Sequence, residues 1–592
     1  RYFDEVVFRR FERPLRDLLL SLAPFDSFTP AMAEAVNDEL NTGELLGQLE
    51  RNTTMLVMDG LGAYRFHRIF HLYLAWKVSQ EYSAADRRAL YERAGRYYES
   101  IDDIVHALEC YTQGGNTHKV MSLLERHAAL HPGVGHYYET ERFYRALPEA
   151  EILKSPTLMS GMSMLCAMTL DFEASEDWYD KLCRYASSLN KDDAEYREAR
   201  TRIAYLGIAL PQRGSAGLIE LIGNLFTILT EKKIKLPAFS VTSTLPSIMN
   251  GGKDFCEWSK KDDLLYATMR KPVESVLGRD GIGLADCAIC ESKFEKGDDV
   301  SSRLLGLVSL LGEIQSKGTP DIEFAAVGLL ARQRVSQGRA DDARTMVASL
   351  RERFSENGLE RFTPNIDALL CRIDMRLGDN EAVSHWMRES APKDPLGLRP
   401  LWRYRYLTLA MVDIANGDFE NALVALASLE QYCTKCSRTM DSIHIGLLKA
   451  LCHYRQGNEV WRDDLAAQLD RSLEYRFIWP VAQYGAALLP LLTDCEWNVD
   501  TAFGKNLIAA TREQAVYYPR FMQDTPKLVT PLSDAEMQVL RLLCHDLSNR
   551  EIGDVLGITI PTVKTHVSHI LQKLGANRRS EAKAIAEKIG LA

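Results

Sequence analysis

The sequence predicts an all-α chain. A stack of helical hairpins fills its middle, with a small helical module ahead of it and a cluster of short helices behind. Three observations predict this. Gly338, Gly378, Gly417 and Gly457 recur at intervals of 40, 39 and 40 residues, each behind an apolar helical stretch. The last sixty or so residues break into short segments with apolar positions at helical spacing. Residues 1–80 hold three helical stretches and then one glycine-centred hairpin.

At 592 residues the chain is too long for one core; about three to five domains are expected. Its 46% apolar and 26% charged content is that of an ordinary globular protein. No charge-free apolar run approaches the ~20 residues of a spanning helix, Tyr484–Leu492 being typical of the longest, so no membrane role is expected. Twelve cysteines scattered singly point to a reducing cytoplasm rather than a disulfide framework. Arg1-Tyr2-Phe3-Asp4-Glu5 has neither a signal-peptide pattern nor an initiator Met, which leads us to expect further sequence upstream.

In the first module, residues 1–80, Arg13–Leu19 opens one helix, Pro30–Glu34 a second and Gly43–Asn52 a third. Met55–Asp59, the turn Gly60-Leu61-Gly62 and Tyr64–His67 then read as a hairpin. Three helices and a β-wing make a winged-helix module.

Residues 81–315 read as irregular helical repeats. One unit runs from Leu90 to Ala129, with Ala94, Tyr97, Tyr98, Ala107 and Leu108 as its packing residues. Leu165–Met168 and Leu218–Leu229 continue the helical pattern, while Lys235–Asp254, with two prolines and two glycines, reads as an irregular loop. Over residues 316–500 the repeat is plain. Glycine ends the first helix of each pair, and Ala343, Ala382 and Ala422 let the second pack close; the fourth unit departs, with Glu459-Val460 instead. This helical-hairpin solenoid resembles tetratricopeptide repeats, with a period above the usual ~34 residues. Concave solenoid faces take peptides, partner proteins or small ligands. Trp402, Tyr404, Tyr406 and Trp479 are candidates to line one, although large aromatics more often belong to the core. Residues 501–528 read as a linker.

Residues 529–592 form a helix-turn-helix. Ser533-Asp534-Ala535-Glu536 is a capping-box pattern ahead of Val539, Leu540, Leu542 and Leu543. A second helix follows from Asn549 to Leu556, with Ile552, Val555 and Leu556 apolar, and Gly557 supplies a tight turn. Thr559 caps a third helix that tolerates Pro561 in its first turn. Val563, Val567, Ile570, Leu571 and Leu574 make its apolar stripe.

Lys564, Thr565, Ser568 and Gln572 fall on a shared face outside that stripe. Lysine suits guanine acceptors, and hydroxyls suit several base edges. Thr562, His566, His569 and Lys573 flank that face and are placed to reach phosphates, which position a protein without reading sequence. On an arbitrary amphipathic helix the same face would be merely solvated. The net charge of −10 opposes general affinity for nucleic acid. From Ile560 to Ala592, however, six basic residues face two acidic ones, a local charge of +4, so DNA contact is expected only there.

Resemblance decides between these readings. Leu532-Ser533 with Glu536, Leu547–Ile552, Thr562–Val567 and Leu571–Gly575 together resemble the LuxR-type DNA-binding domain over about sixty residues. The resemblance implies that Lys564, Thr565 and Ser568 point toward base edges, and that the last helix, about Ser580 to Ile589, pairs two domains. The family's frequent basic residue at the Ser568 position is absent. The segment Tyr64–Leu74 resembles a signature in large MalT-like regulators, ordered as NTPase domain, winged helix, helical-repeat sensor and LuxR-type reader. The last three cover this chain in order, and in that family the winged helix is a spacer rather than a DNA contact.

An NTPase domain is not legible. No GxxxxGK[ST] occurs, and Gly251-Gly252-Lys253-Asp254 lacks both the spacing and the hydroxyl. No cofactor is expected in this chain; ATP belongs to a longer signalling NTPase of which it would be a piece, preferred over a regulator made without that domain. Cys287–Cys290 and Cys433–Cys436 are CxxC pairs about 145 residues apart in helical sequence, read as structural rather than zinc ligands. His127, His131 and His136 lack HExxH spacing, and His67 and His71 are implied to pack. No catalytic arrangement follows from spacing.

The expected function is a sequence-specific DNA-binding transcription regulator, not an enzyme. A helical-repeat sensor takes a small-molecule or protein effector, the reader binds a two-half-site operator as a dimer or higher oligomer, and RNA polymerase is a partner. Alternatives are an interaction scaffold with a vestigial reader, or the output half of a signalling NTPase.

Overall fold

The computed structural model describes residues 4, 7–37, 41–52, 55–58, 62–130, 134–214, 242, 244–394, 397–495, 497, 501–517, 532–545, 547–574, 576 and 578–588. The N-terminal module comprises α1 (Arg13–Leu22), α2 (Pro30–Val36), α3 (Thr42–Asn52), β1 (Leu56–Met58), β2 (Tyr64–Phe66) and α4 (Arg68–Glu81). Proline opens α1 and α2 where no donor is needed, and the Thr29 hydroxyl caps α2 by accepting from Met32 N at 3.2 Å. The wing pairs Leu56 with Phe66 and Met58 with Tyr64, antiparallel. Phe28 adds a bridge to Tyr64, so the sheet is rooted between α1 and α2. The expected winged helix is therefore present; the turn at 59–61 lies outside the described residues. His71 packs as expected, its Nε2 lying 2.8 Å from Ala23 O.

Hairpins follow: α5 (Ala84–Ser100), α6 (Ile104–Gln113), α7 (Thr117–Leu130), α8 (Val134–Ala146), α9 (Glu149–Ile152), α10 (Pro156–Met168), α11 (Phe172–Ser187) and α12 (Ala194–Ala209). Leu90, Ala94 and Cys110 share one core with the winged helix, so α5 and α6 continue its packing. Leu218–Leu229 and residues 235–241 lie outside the described residues.

The array resumes with α13 (Cys256–Ser259), α14 (Asp262–Leu277), α15 (Leu284–Glu295), α16 (Ser301–Lys317), α17 (Pro320–Ser336), α18 (Ala340–Glu356), α19 (Thr363–Leu377) and α20 (Asn380–Glu389). It continues through α21 (Arg403–Asn416), α22 (Phe419–Lys435), α23 (Thr439–Arg455), α24 (Trp461–Tyr475), α25 (Trp479–Ala482) and α26 (Gly485–Asp494). All four periodic glycines are left-handed, with φ between +70° and +79°. A Cβ is disfavoured there, which is why glycine recurs wherever a first helix must turn into its partner. Ala343 and Ala422 are fully buried, while Ala382 is half-buried. In the divergent fourth unit, Trp461 fills the equivalent interior space.

Residues 501–528 are not simply a linker. Ala502–Ala515 is a further helix, α27, that buries Leu507, Thr511 and Gln514. Gln514 Nε2 donates to Ser336 O at 2.9 Å, tying the chain's return to the end of α17. The rest of the interval, residues 518–528, lies outside the described residues.

Of the expected loop, Lys235–Asp254, the part from Thr244 onward is irregular yet largely buried, forming with Phe255 a strap laid against the array. Asn365 Nδ2 donates to Thr244 O at 2.9 Å. Glu291 accepts from Ile248 N at 2.8 Å and Met249 N at 3.0 Å, and Asp254 accepts from Met440 N at 2.8 Å. Arg403 and Arg438 both donate to the carbonyls of Asn250 and Gly251. Asp441 holds the two guanidinium groups together at 2.9 and 2.6 Å. Burial alone would raise its pKa, but Arg438 and Arg403 hold its carboxyl well below the usual carboxylate range. Gly328 lets Pro246 approach so closely that a Cβ there would lie 2.5 Å from the proline ring. Strap backbone donors and acceptors are thus met by array side chains, as burial requires.

Of the four candidate aromatics, Tyr406 and Trp479 are buried and Trp402 and Tyr404 half-buried. Tyr404 and Trp479 line a partly open cavity of about 100 Å³ beneath the strap. The CxxC pairs belong to two different core clusters. Burial pushes the Cys290 and Cys436 thiols up to about 12. Among the described residues, no helix is long and apolar enough to cross a membrane.

Candidate nucleic-acid interface

The C-terminal unit is α28 (Asp534–Cys544), α29 (Asn549–Leu556), α30 (Ile560–Leu574) and α31 (Arg579–Lys588). Two capping boxes start its first two helices: Ser533 with Glu536, and Ser548 with Glu551. Gly557 ends α29 in the left-handed region at φ +67°. Thr559 Oγ1 then takes the amide of Thr562 at 3.5 Å to begin α30. Val539, Leu540, Ile552, Val563, Ile570, Ala582 and Ala586 close one small core. Val555, read as part of the apolar face of α29, instead points outward at 60% exposure. Ile552 is the fully buried apolar side chain of that helix, with Leu556 half-buried against the same core.

On α30 the structure leaves Thr562, Lys564, Thr565, Ser568, His569 and Gln572 exposed. Thr565 donates its hydroxyl proton to Pro561 O at 3.1 Å, which turns its remaining lone pairs and methyl outward. His566 is half-buried, and its Nδ1 has no hydrogen-bond partner among the described residues. Lys573 is turned back onto α28, donating to Glu536 Oε2 at 2.7 Å, and His569 Nδ1 lies 3.7 Å from Oε1 of the same carboxylate. Hydrogen bonds from Lys573 and from Ser533 N hold the Glu536 carboxyl down to about 2, so it stays charged. The eight candidate residues thus divide. Six stay exposed, His566 is half-buried, and Lys573 braces α30 against α28 while His569 leans toward the same carboxylate.

Sequence reasoning missed the brace from the last helix. Arg579 donates to Asn549 Oδ1 at 2.9 Å and to Leu547 O, so α31 clamps the start of α29. An arginine at a helix start gives no signal of a target 30 residues upstream. Ala582 and Ala586 of α31 face the domain's own core.

Comparison with known families agrees unit by unit. Residues 3–86 match the MalT winged helix domain, residues 310–497 the MalT-like TPR region, and residues 530–586 the bacterial regulatory proteins of the luxR family. Each of the three units is thus similar to a MalT-like or luxR-family domain, in the order winged helix, helical repeat and reader. This MalT-like chain is 22% identical over 297 residues to the HTH-type transcriptional regulator MalT of Vibrio campbellii, an alignment spanning 47% of this chain and 33% of that protein. It is 24% identical over 299 residues to MalT of Klebsiella pneumoniae, again 47% and 33%. The chain spans about a third of the length of the curated relatives it matches. A solved signal transduction ATPase with numerous domains and a tetratricopeptide repeat sensor, from Pyrococcus horikoshii, aligns at TM-score 0.33 and 13% identity, over 83% of this chain and 66% of that one; so loose a superposition carries no argument.

Proposed function

We propose that this chain is the sensing and DNA-reading part of a transcription regulator. The observation that carries the reading is α30. Its apolar stripe is consumed by the domain core, and its opposite face presents Lys564, Thr565, Ser568 and Gln572 to solvent. In a helix-turn-helix that face enters the major groove, where lysine and hydroxyl groups meet base-edge acceptors and the thymine methyl. Thr562 and His569 flank it within reach of phosphates, as does Lys573 should DNA draw it from Glu536.

The array supplies the signal and the reader the output, with RNA polymerase as the downstream partner and a dimer or higher oligomer as the bound form. The matched domains are regulatory rather than catalytic. We place no cofactor in these residues, assign ATP to sequence upstream in a longer protein, and place the regulator in the cytoplasm. Titrating promoter fragments against salt tests the reading. Specific binding should weaken steeply with salt and retain a sequence preference. A steep slope with no preference would favour the scaffold reading and sink this one.

A further inference from the structure

The cavity beneath the strap is roofed by Leu245, Pro246, Ser247 and Asn250. Its floor comes from successive units of the array: Arg332 from α17, Arg372 and Arg376 from α19, Tyr404 from α21, His444 from α23 and Trp479 from α25. Its charges are unequally matched. Glu291 and Glu295 hold Arg332, and Asp441 is shared by Arg403 and Arg438. Arg376 donates to Gln483 O.

Arg372 differs. Its guanidinium lies flat against Tyr404, 3.7 Å from the ring centroid, and donates to Thr408 Oγ1 at 2.7 Å and Tyr404 O at 3.2 Å. Those acceptors are neutral, and among the described residues Arg372 has no carboxylate partner. His444 reports the resulting field. Burial, and then the Arg372 charge, hold its ring down to about 3, so it is neutral and bonds Tyr484 OH at 3.1 Å. Arg372 is half-buried; a positive charge partly withdrawn from water without a counter-ion carries a desolvation cost, and an anion relieves that cost.

We infer that this cavity binds a small oxyanion, a phosphate or carboxylate group, with Arg372 as its charged anchor and Tyr404 holding the guanidinium in place. The volume of about 100 Å³ fixes the scale. That space takes a few waters, enough for a tetrahedral oxyanion or a short carboxylate. The bound anion sits between the strap above and the array below, so occupancy draws them together. The inference rests on the array being the sensor, and it supplies the chemistry of what is sensed.

The full 592-residue chain is titrated with inorganic phosphate and with acetate, against sodium chloride at matched ionic strength, by calorimetry and by thermal shift. Saturable binding of either anion is expected, weakened at least about tenfold in Arg372→Gln, the loss expected of one charge-assisted hydrogen bond. Should that variant fail to fold by circular dichroism, Arg372→Lys keeps the charge but not the fork, and should bind more weakly than wild type. Phosphate binding without acetate points to a phosphorylated metabolite, and the reverse to a carboxylic acid. Response to chloride alone, or Arg372 variants that titrate like the wild type, overturns the site. Anion binding that depends on Arg372 but leaves operator affinity unchanged upholds the site and sinks the sensor reading. Operator affinity that responds to some other array ligand, with no anion bound, sinks the site alone.

Discussion

Glu536 accepts from Lys573 and from the amide of Ser533 through the same oxygen, both at 2.7 Å. One carboxylate therefore caps α28 and fastens α30 to it. Glu536→Gln keeps the shape and loses the charge, and should destabilise the reader by about 1–2 kcal/mol. Hydrogen exchange of the α28 amides reads the loss locally. The acid response follows from the same group. Its folded pKa, about 2, lies below the ordinary 4.5, so its contribution is complete above that ordinary value and disappears as pH falls toward 2. The wild-type reader should lose stability over that interval, and Glu536→Gln should lose less.

Lys564 and Lys573 lie nine positions apart on one helix and should fail in different ways. Lys564 is exposed, so Lys564→Ala should leave stability unchanged and cost about 1–3 kcal/mol of discrimination at one base pair. Lys573→Gln should lower the reader's melting temperature. A Lys564→Ala protein that ranks operator variants as the wild type does would show that α30 meets DNA in another register.

The periodic glycines are not equivalent. Around Gly417 a Cβ would find open space, so Gly417→Ala should cost only the left-handed backbone penalty of about 1–2 kcal/mol. At Gly338, also left-handed, a Cβ would collide with the ring of Tyr517. Gly338→Ala should cost more and speed chymotryptic cleavage after Tyr517, which is already partly exposed. Equal melting temperatures for the two variants would contradict the packing at the end of α27.

Among the described residues, Asp441 is the one carboxylate that pairs both Arg403 and Arg438. Asp441→Asn leaves two buried guanidinium groups short of charge, and should destabilise the array by about 3–5 kcal/mol. The first sign should be tryptic cleavage after Lys253, which is buried while the strap is seated. A strap that resists trypsin in Asp441→Asn would mean that the arginines hold it unaided.

Much of this was legible because it is local. A left-handed turn needs glycine, a capping box needs Ser and Glu three apart, and an apolar stripe shows its period, so the repeats, the wing and α30 could be read directly. The strap could not, because its partners Glu291, Asn365, Arg403 and Arg438 lie tens to nearly two hundred residues away, and each looks like an ordinary surface residue in sequence. Gly251-Gly252 read as a failed phosphate loop; their role is to offer carbonyls to Arg403 and Arg438. Lys573 was placed at the edge of the DNA face by helical angle, and only the return of α28, 37 positions earlier, turns it inward. α27 escaped notice because its buried side includes Thr511 and Gln514, which carry no hydrophobic signal.

The seated strap also decides who can compete for the inner surface of the array. A peptide in solution must displace a segment of the same chain whose local concentration is on the order of millimolar. A micromolar peptide that binds no more tightly than the strap would arrive too late and stay too briefly. A molecule small enough to slip beneath the strap faces no such rival, so the architecture filters its signals by size before chemistry is consulted.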